Sequence, residues 1–416
     1  MTDSRIITYA KELENVWKRQ QNNWKIIVWR QVFNRFFNEF TISYQNIFIR
    51  QLGASPVTLG FVNSFAPIMS TVISIPIGWL QDRYSLRKLF IMGVGLFTLV
   101  PIIFGLAPSW EWIPFAMMMA AFCQKEGSCM VICNISLENK DRLTAKSICE
   151  GIGRIPTLFA PIAAAIIISF YGGLTVDGIR PLYWIRAVAS LILFLFVATQ
   201  LKEIVRPQLH WGEEEKKKYG FINSFRDLFK QNSILKIWIV YAITSSFFRV
   251  IMTSFRYVYL NEIKGADQFI IGGVATAAVL MQIICYTPIG RLSDKIGRKK
   301  VIYLLLPIVW VSNLIYILAP RPEFLLIAGL LTGIEAITFV VENAISAELV
   351  PPDYMGRWVG VTGLFVGLVD IPAPIIGGLI WEHIGPTYLF LIPILIDIFI
   401  KIPILRSMPE TLHGKK

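Results

Sequence analysis

Apolar runs of about 18 residues or more recur twelve times along the 416-residue chain, divided by short charged or Pro/Gly-rich breaks. They fall near 28–50, 56–80, 88–107, 112–135, 145–170, 182–201, 235–259, 268–290, 300–318, 324–347, 357–381 and 386–405. Inside a bilayer no water satisfies backbone N–H and C=O groups, so a run of that length must close its hydrogen bonds as an α-helix. The expected fold is therefore an all-α membrane protein with 12 transmembrane helices. Composition agrees: 55% of residues are hydrophobic and 16% charged, against roughly 45–50% and 25% in a soluble domain.

The chain also repeats itself. Gly78 and Gly290, and Asp82 and Asp294, stand 212 residues apart, about half the length; Gly53 and Gly265, Gly60 and Gly272, and Pro76-Ile77-Gly78 and Pro288-Ile289-Gly290 keep the same offset. Six spans per copy give both copies one orientation, as parallel repeats. The expected organisation is an N-terminal segment 1–27, a six-helix bundle 28–201, a linker 202–234, a second bundle 235–405 and a tail 406–416. Within the linker, Phe221, Ile222, Phe225, Leu228 and Phe229 share one helical face, which predicts a short amphipathic helix on the membrane surface.

Charge sets the orientation. Placing both termini and the even-to-odd loops on one side collects roughly 28 of the 40 Lys and Arg there, leaving about four (Arg50, Arg180, Lys264, Arg321) opposite. That predicts cytoplasmic termini in the plasma membrane. The net charge of +12 lies in short loops, so no basic face for nucleic acid is expected. The five cysteines, Cys123, Cys129, Cys133, Cys149 and Cys285, lie in apolar segments and suggest packing, not disulfides or a metal site. No nucleophile–base or metal-ligand constellation suggests an enzyme, and no phosphate-binding loop suggests nucleotide-driven transport. No cofactor or metal is implied.

The stretch Gly290-Arg-Leu-Ser-Asp294-Lys-Ile-Gly297-Arg298-Lys299 between the second and third spans of its repeat resembles the signature of the major facilitator superfamily. The first copy keeps Gly78, Asp82, Arg83 and Arg87, with Ser85 in place of the turn glycine. The resemblance covers about residues 28–411 and implies two six-helix bundles working by alternating access. It also implies that these residues latch one side closed, Asp82 facing the eleventh helix and Asp294 the fifth. Gly151, Gly153 and Pro161 in the fifth span, and Pro374, Gly377 and Gly378 in the eleventh, are similar to the family's small-residue packing element. Pro409-Glu410-Thr411 resembles the tail motif of sugar porters.

Charges within the spans are the candidate site, because each costs at least about 2.5–3.5 kcal/mol at mid-membrane on insertion scales. Arg35 and Glu39, Lys125 and Glu126, Arg249 and Arg256, and Glu335 and Glu342 lie in spans 1, 4, 7 and 10, with Arg154 and Asp370 in spans 5 and 11. In the family the first four of these spans line the central cavity. The expected cavity set is Arg35, Glu39, Lys125, Glu126, Arg249, Glu335 and Glu342, with Arg35 and Glu39 placed to pair at i,i+4. Together these features predict a secondary active transporter for a small solute, energised by a proton or other ion gradient and working as a monomer in the bilayer. A proton-antiport exporter of drugs or organic cations, and a sensor that binds without transporting, are the other two readings.

Overall fold

The computed structural model describes residues 15–124, 136–137, 149, 151–203, 233–351 and 354–411, with backbone alone at 74–83, 124 and 233. Lys125, Glu126, Cys129, Cys133, the predicted linker helix and the side chains of Asp82 and Arg83 lie outside them. All regular structure among the described residues is helical. The helices are α1 (Asn22–Gln51), α2 (Pro56–Arg83), α3 (Leu86–Leu106), α4 (Ile113–Gln124), α5 (Ala160–Phe170), α6 (Val176–Gln200), α7 (Ser233–Glu262), α8 (Gln268–Ile296), α9 (Arg298–Leu318) and α10 (Leu325–Glu348). The last two spans are broken, into α11a (Met355–Asp370) and α11b (Ala373–His383), and into α12a (Tyr388–Ile396) and α12b (Ile402–Ser407) joined by a π-helical turn over Asp397–Lys401.

Ten helical segments among the described residues are long and apolar enough to cross a membrane. α1 is not among them, since Arg30, Arg35, Glu39 and several Asn and Gln dilute its apolar run; α4 is described only to Gln124. α1 also begins six residues before the expected position 28, because its first two turns bury Trp24 and Ile27 completely. Only 22–56% of each apolar window is buried, and Phe170 and Phe399 are 81% and 72% exposed. Such surfaces belong against lipid, which is as apolar as the side chains themselves.

Helix starts repeat at the 212-residue offset. Ser55 Oγ accepts from Thr58 N at 3.1 Å to cap α2, and Asp267 Oδ1 accepts from Ile270 N at 2.8 Å to cap α8. Two of the basic residues opposite the basic loops close helix ends: Arg180 donates to Ala107 O at 3.0 Å beyond α3, and Lys264 donates to Ile317 O at 2.6 Å in the last turn of α9.

Packing divides the chain into two compact units. One comprises residues 1–42 and 72–207, the other 43–71 and 208–416. In the first, Ile27, Phe90, Val94 and Val197 form a core among α1, α3 and α6. In the second, Trp238, Val301, Ile302, Ile345 and Trp358 form a core among α7, α9, α10 and α11a. The α1–α2 hairpin, residues 43–71, belongs to the second unit for a local reason. A Cβ on Gly378 would lie 2.5 Å from Pro56 O and 2.6 Å from Val57 Cα, and one on Gly60 would strike the Pro374 carbonyl. Only glycine permits that approach. Arg50 Nε to Glu262 Oε1 (2.7 Å), Asn46 Nδ2 to Ser254 O (2.8 Å) and Tyr44 OH to Gln268 O (3.0 Å) complete the seating.

Candidate functional site

Two arginines and two glutamates build the site in the second unit. Arg249 and Arg256 are seven residues apart on α7, hence two turns apart on one face, and Glu335 and Glu342 are likewise on α10. Antiparallel packing matches the lower arginine to the higher glutamate in a single register. Arg256 Nη2 lies 2.6 Å from Glu335 Oε2, and Arg249 Nη1 lies 3.9 Å from Glu342 Oε2. The first rung is tight and the second loose. Arg249 instead rests its guanidinium 4.0 Å over the Phe339 ring, while Glu342 accepts from Tyr241 OH at 2.8 Å and Ser245 Oγ at 3.0 Å.

Below the loose rung lies a pair outside the expected set. Lys401 Nζ stands 2.9 Å from Asp397 Oδ1 in the π-helical turn, and Trp310 Nε1 donates to Asp397 Oδ2 at 3.0 Å. Single π-helical turns inside α-helices concentrate at functional sites. The signal for it in the sequence is an i,i+4 acid–base pair inside an apolar run, where neither charge is otherwise expected. A cavity of about 60 Å³ reaches from Arg249 and Glu342 to Asn313, Asp397 and Lys401. That is room for a few waters among polar walls.

In the first unit, Arg35 and Glu39 both lie on α1. Arg35 packs on Gly153, where a Cβ would lie 3.1 Å from its Nη1. Lys125 and Glu126 are outside the described residues. Arg186, absent from the expected set, is 6% exposed and donates to Thr41 Oγ1 and Asn38 Oδ1 of α1.

The signature residues of the second repeat meet where α8 gives way to α9. Gly297 has φ +110°, a left-handed conformation that favours glycine, and a Cβ there would strike the Glu410 carboxylate. Glu410 Oε1 accepts from Arg298 N at 2.8 Å, at the start of α9, where the helix dipole favours an anion. Arg298 bonds both Asp294 (2.5 Å) and Glu348 (3.2 Å), and Thr411 Oγ1 donates to Glu348 at 2.6 Å. The expected partner of Asp294 is the fifth helix; within its unit Asp294 is held by Arg298 and is 63% exposed. The tail motif thus fastens the second repeat's signature loop. Glu410→Ala is expected to cost about 1 kcal/mol, the typical worth of a helix cap, read as a lower unfolding temperature.

The first repeat uses other chemistry at the same place. Ser85 has φ −59°, caps α3 by accepting from Lys88 N, and donates to Glu203 Oε1 at 2.6 Å. A hydroxyl cap without a left-handed residue explains why serine serves where the second copy has glycine. Arg87 Nε donates to Leu201 O at 2.6 Å. Of Gly78, Asp82 and Arg83 only the backbone is described. Among the described residues no heavy atom lies within 4 Å of a Cβ built on Gly151 or Gly290. Pro161 is buried in α5, Pro374 meets Gly60, and Gly377 packs against Phe255 and Ile251 of α7.

The sequence model of the Major Facilitator Superfamily matches residues 31–272 and 237–411. The uncharacterized MFS-type transporter MJ1317 of Methanocaldococcus jannaschii is 24% identical over 407 residues, 91% of this chain and 94% of that protein. The class B tetracycline resistance protein of Escherichia coli is 31% identical over 132 residues, 32% of this chain and 33% of that protein. Among solved structures, the nucleoside transporter NupG superposes with a TM-score of 0.74 at 13% identity, covering 94% of this chain and all of that one. A D-xylose-proton symporter gives 0.70 at 12% identity, covering 93% and 97%. The structural likenesses show the fold, and the family match spans nearly every helix described above: the chain belongs to the major facilitator superfamily.

Proposed function

We propose that the protein is a secondary active transporter that moves a small polar or ionised solute by alternating access, coupled to protons. The observation that carries this reading is the loose Arg249–Glu342 rung facing a polar cavity beside the tight Arg256–Glu335 rung. Arg249 is the guanidinium with room to take a new partner, and a planar fork suits a carboxylate or phosphate group. When a solute anion takes Arg249, Glu342 keeps two hydroxyl donors but loses its counter-charge, and a proton restores neutrality. Solute and proton then bind in support of one another, and transport follows the proton gradient. The bias of basic residues supports placement in the plasma membrane with cytoplasmic termini.

The partial likeness to a tetracycline resistance protein favours a second reading, proton-antiport export of an organic cation. Thermal unfolding with sugars, organic anions, amino acids and lipophilic cations at about pH 5.5 and 7.5, bracketing the titration of a perturbed carboxylate, separates the two. A polar anion or zwitterion that stabilises most at acid pH supports the proposal. Shifts with lipophilic cations alone, weakened by acid, support export. Glu342→Gln keeps the hydroxyl contacts but cannot ionise. It is expected to fold normally and to lose pH-driven uptake while retaining exchange.

A further inference from the structure

The middles of the second unit's spans hold four carboxylates, Glu335, Glu342, Asp370 and Asp397, against three cations, Arg249, Arg256 and Lys401. The odd acid is identified by its contacts. Glu335 is bonded to Arg256 and Asp397 to Lys401, and Glu342 has Arg249 at 3.9 Å with two hydroxyl donors. Among the described residues Asp370 has Ser246 Oγ alone, donating to Oδ2 at 3.0 Å, and its Oδ1 is buried with no hydrogen-bond partner. Among the described residues Arg249 of α7 is the charged group nearby, beyond ion-pair distance, and Thr71 of α2 packs against Gly367, one turn earlier on α11a.

The backbone beside Asp370 is short of donors as well. Helix 11 breaks between Asp370 and Ala373, and Pro372 and Pro374 have no N–H, so the carbonyls of Leu368 and Asp370 lose their helical partners. A carboxylate at the C-terminal end of a helical segment is disfavoured by the dipole, and a buried, unpaired oxygen in a membrane costs more than in water. The Asp370 carboxylate, the Ser246 hydroxyl bonded to it and the freed carbonyls all belong to residues at or against this break, where positive charge is in deficit. These are the donor set of a hard cation, at the kind of helix break that can hold one.

We propose that Asp370, Ser246 and the freed carbonyls of helix 11 form a binding site for a small monovalent cation, a sodium ion or a proton. Its use as a coupling site rests on the transport reading above; its existence does not, and is tested without solute or transport. The test is thermal unfolding of the purified chain and of Asp370→Asn, first with sodium chloride exchanged for equimolar choline chloride at fixed pH, then in choline across a pH series. Stabilisation by sodium over choline, lost in Asp370→Asn, assigns sodium. No sodium effect, with stabilisation on acidification that is larger in the parent than in Asp370→Asn, assigns the proton. An unresponsive parent, or a response undiminished in the variant, overturns the site. If Asp370→Asn fails to fold, Ser246→Ala decides: it leaves the carboxylate and is expected to weaken sodium affinity several-fold or move the midpoint of the acid effect, and no change overturns the proposal.

Discussion

Arg256→Met is expected to destabilise the protein by about 3–5 kcal/mol, the cost of leaving one member of a buried ion pair without its partner. Arg256 is 10% exposed and bonds Glu335 at 2.6 Å, so the substitution strands a carboxylate between α7 and α10. Removing both charges, in Arg256→Met with Glu335→Gln, is expected to recover more than half of the loss, because desolvation of the pair offsets much of its attraction. The cycle of single and double variants in thermal unfolding reads the coupling directly. Arg249→Met should cost far less stability, since its rung is 3.9 Å wide and Glu342 keeps Tyr241 and Ser245. If Arg256→Met is as stable as the parent, the tight rung is not what fixes the register of these helices.

Gly60→Ala is expected to dislodge the α1–α2 hairpin from helix 11. The added methyl would strike the Pro374 carbonyl and lie 2.9 Å from Ile375 Cα. Overpacking a well-filled contact costs about 1–3 kcal/mol and sometimes more, and here the obstacle is backbone, which cannot rotate aside. The contacts made by Arg50, Asn46 and Tyr44 would strain or part with it. A shift of that size moves a two-state equilibrium by roughly 5- to 150-fold, so transport should fall severalfold or more. A cysteine at Ile47, which is 1% exposed, should label slowly in the parent and several-fold faster with Gly60→Ala. Equal labelling would mean that the hairpin is not held by this contact.

Much of the fold is legible in the sequence because bilayer thickness and backbone hydrogen bonding leave helices as the only form for long apolar runs. The repeat is legible because one offset relates Gly78 to Gly290 and even the caps Ser55 and Asp267. The site is legible only in parts. Intramembrane charge marks Arg249, Glu335 and Glu342, yet the pairing of Arg256 with Glu335 depends on the register between two helices whose bonded residues stand 79 positions apart. Spacing within each helix suggests a ladder; only packing says which rungs meet. Arg35 shows a further limit, since its i,i+4 spacing from Glu39 says nothing of its packing on Gly153. Glu410 reads in the sequence as a family tail motif, and its capping of α9 follows from a chain return that no local pattern encodes.

The most direct test of the central claim is uptake into proteoliposomes of a solute found by thermal shift, driven by an imposed pH gradient, for the parent and Glu342→Gln. The expected result is accumulation above the bath concentration in the parent, abolished by a protonophore, with Glu342→Gln still exchanging labelled for unlabelled solute but failing to accumulate it. Binding without exchange in the parent would contradict transport itself. Accumulation unchanged in Glu342→Gln would remove Glu342 from the coupling and leave the loose rung with no role in it.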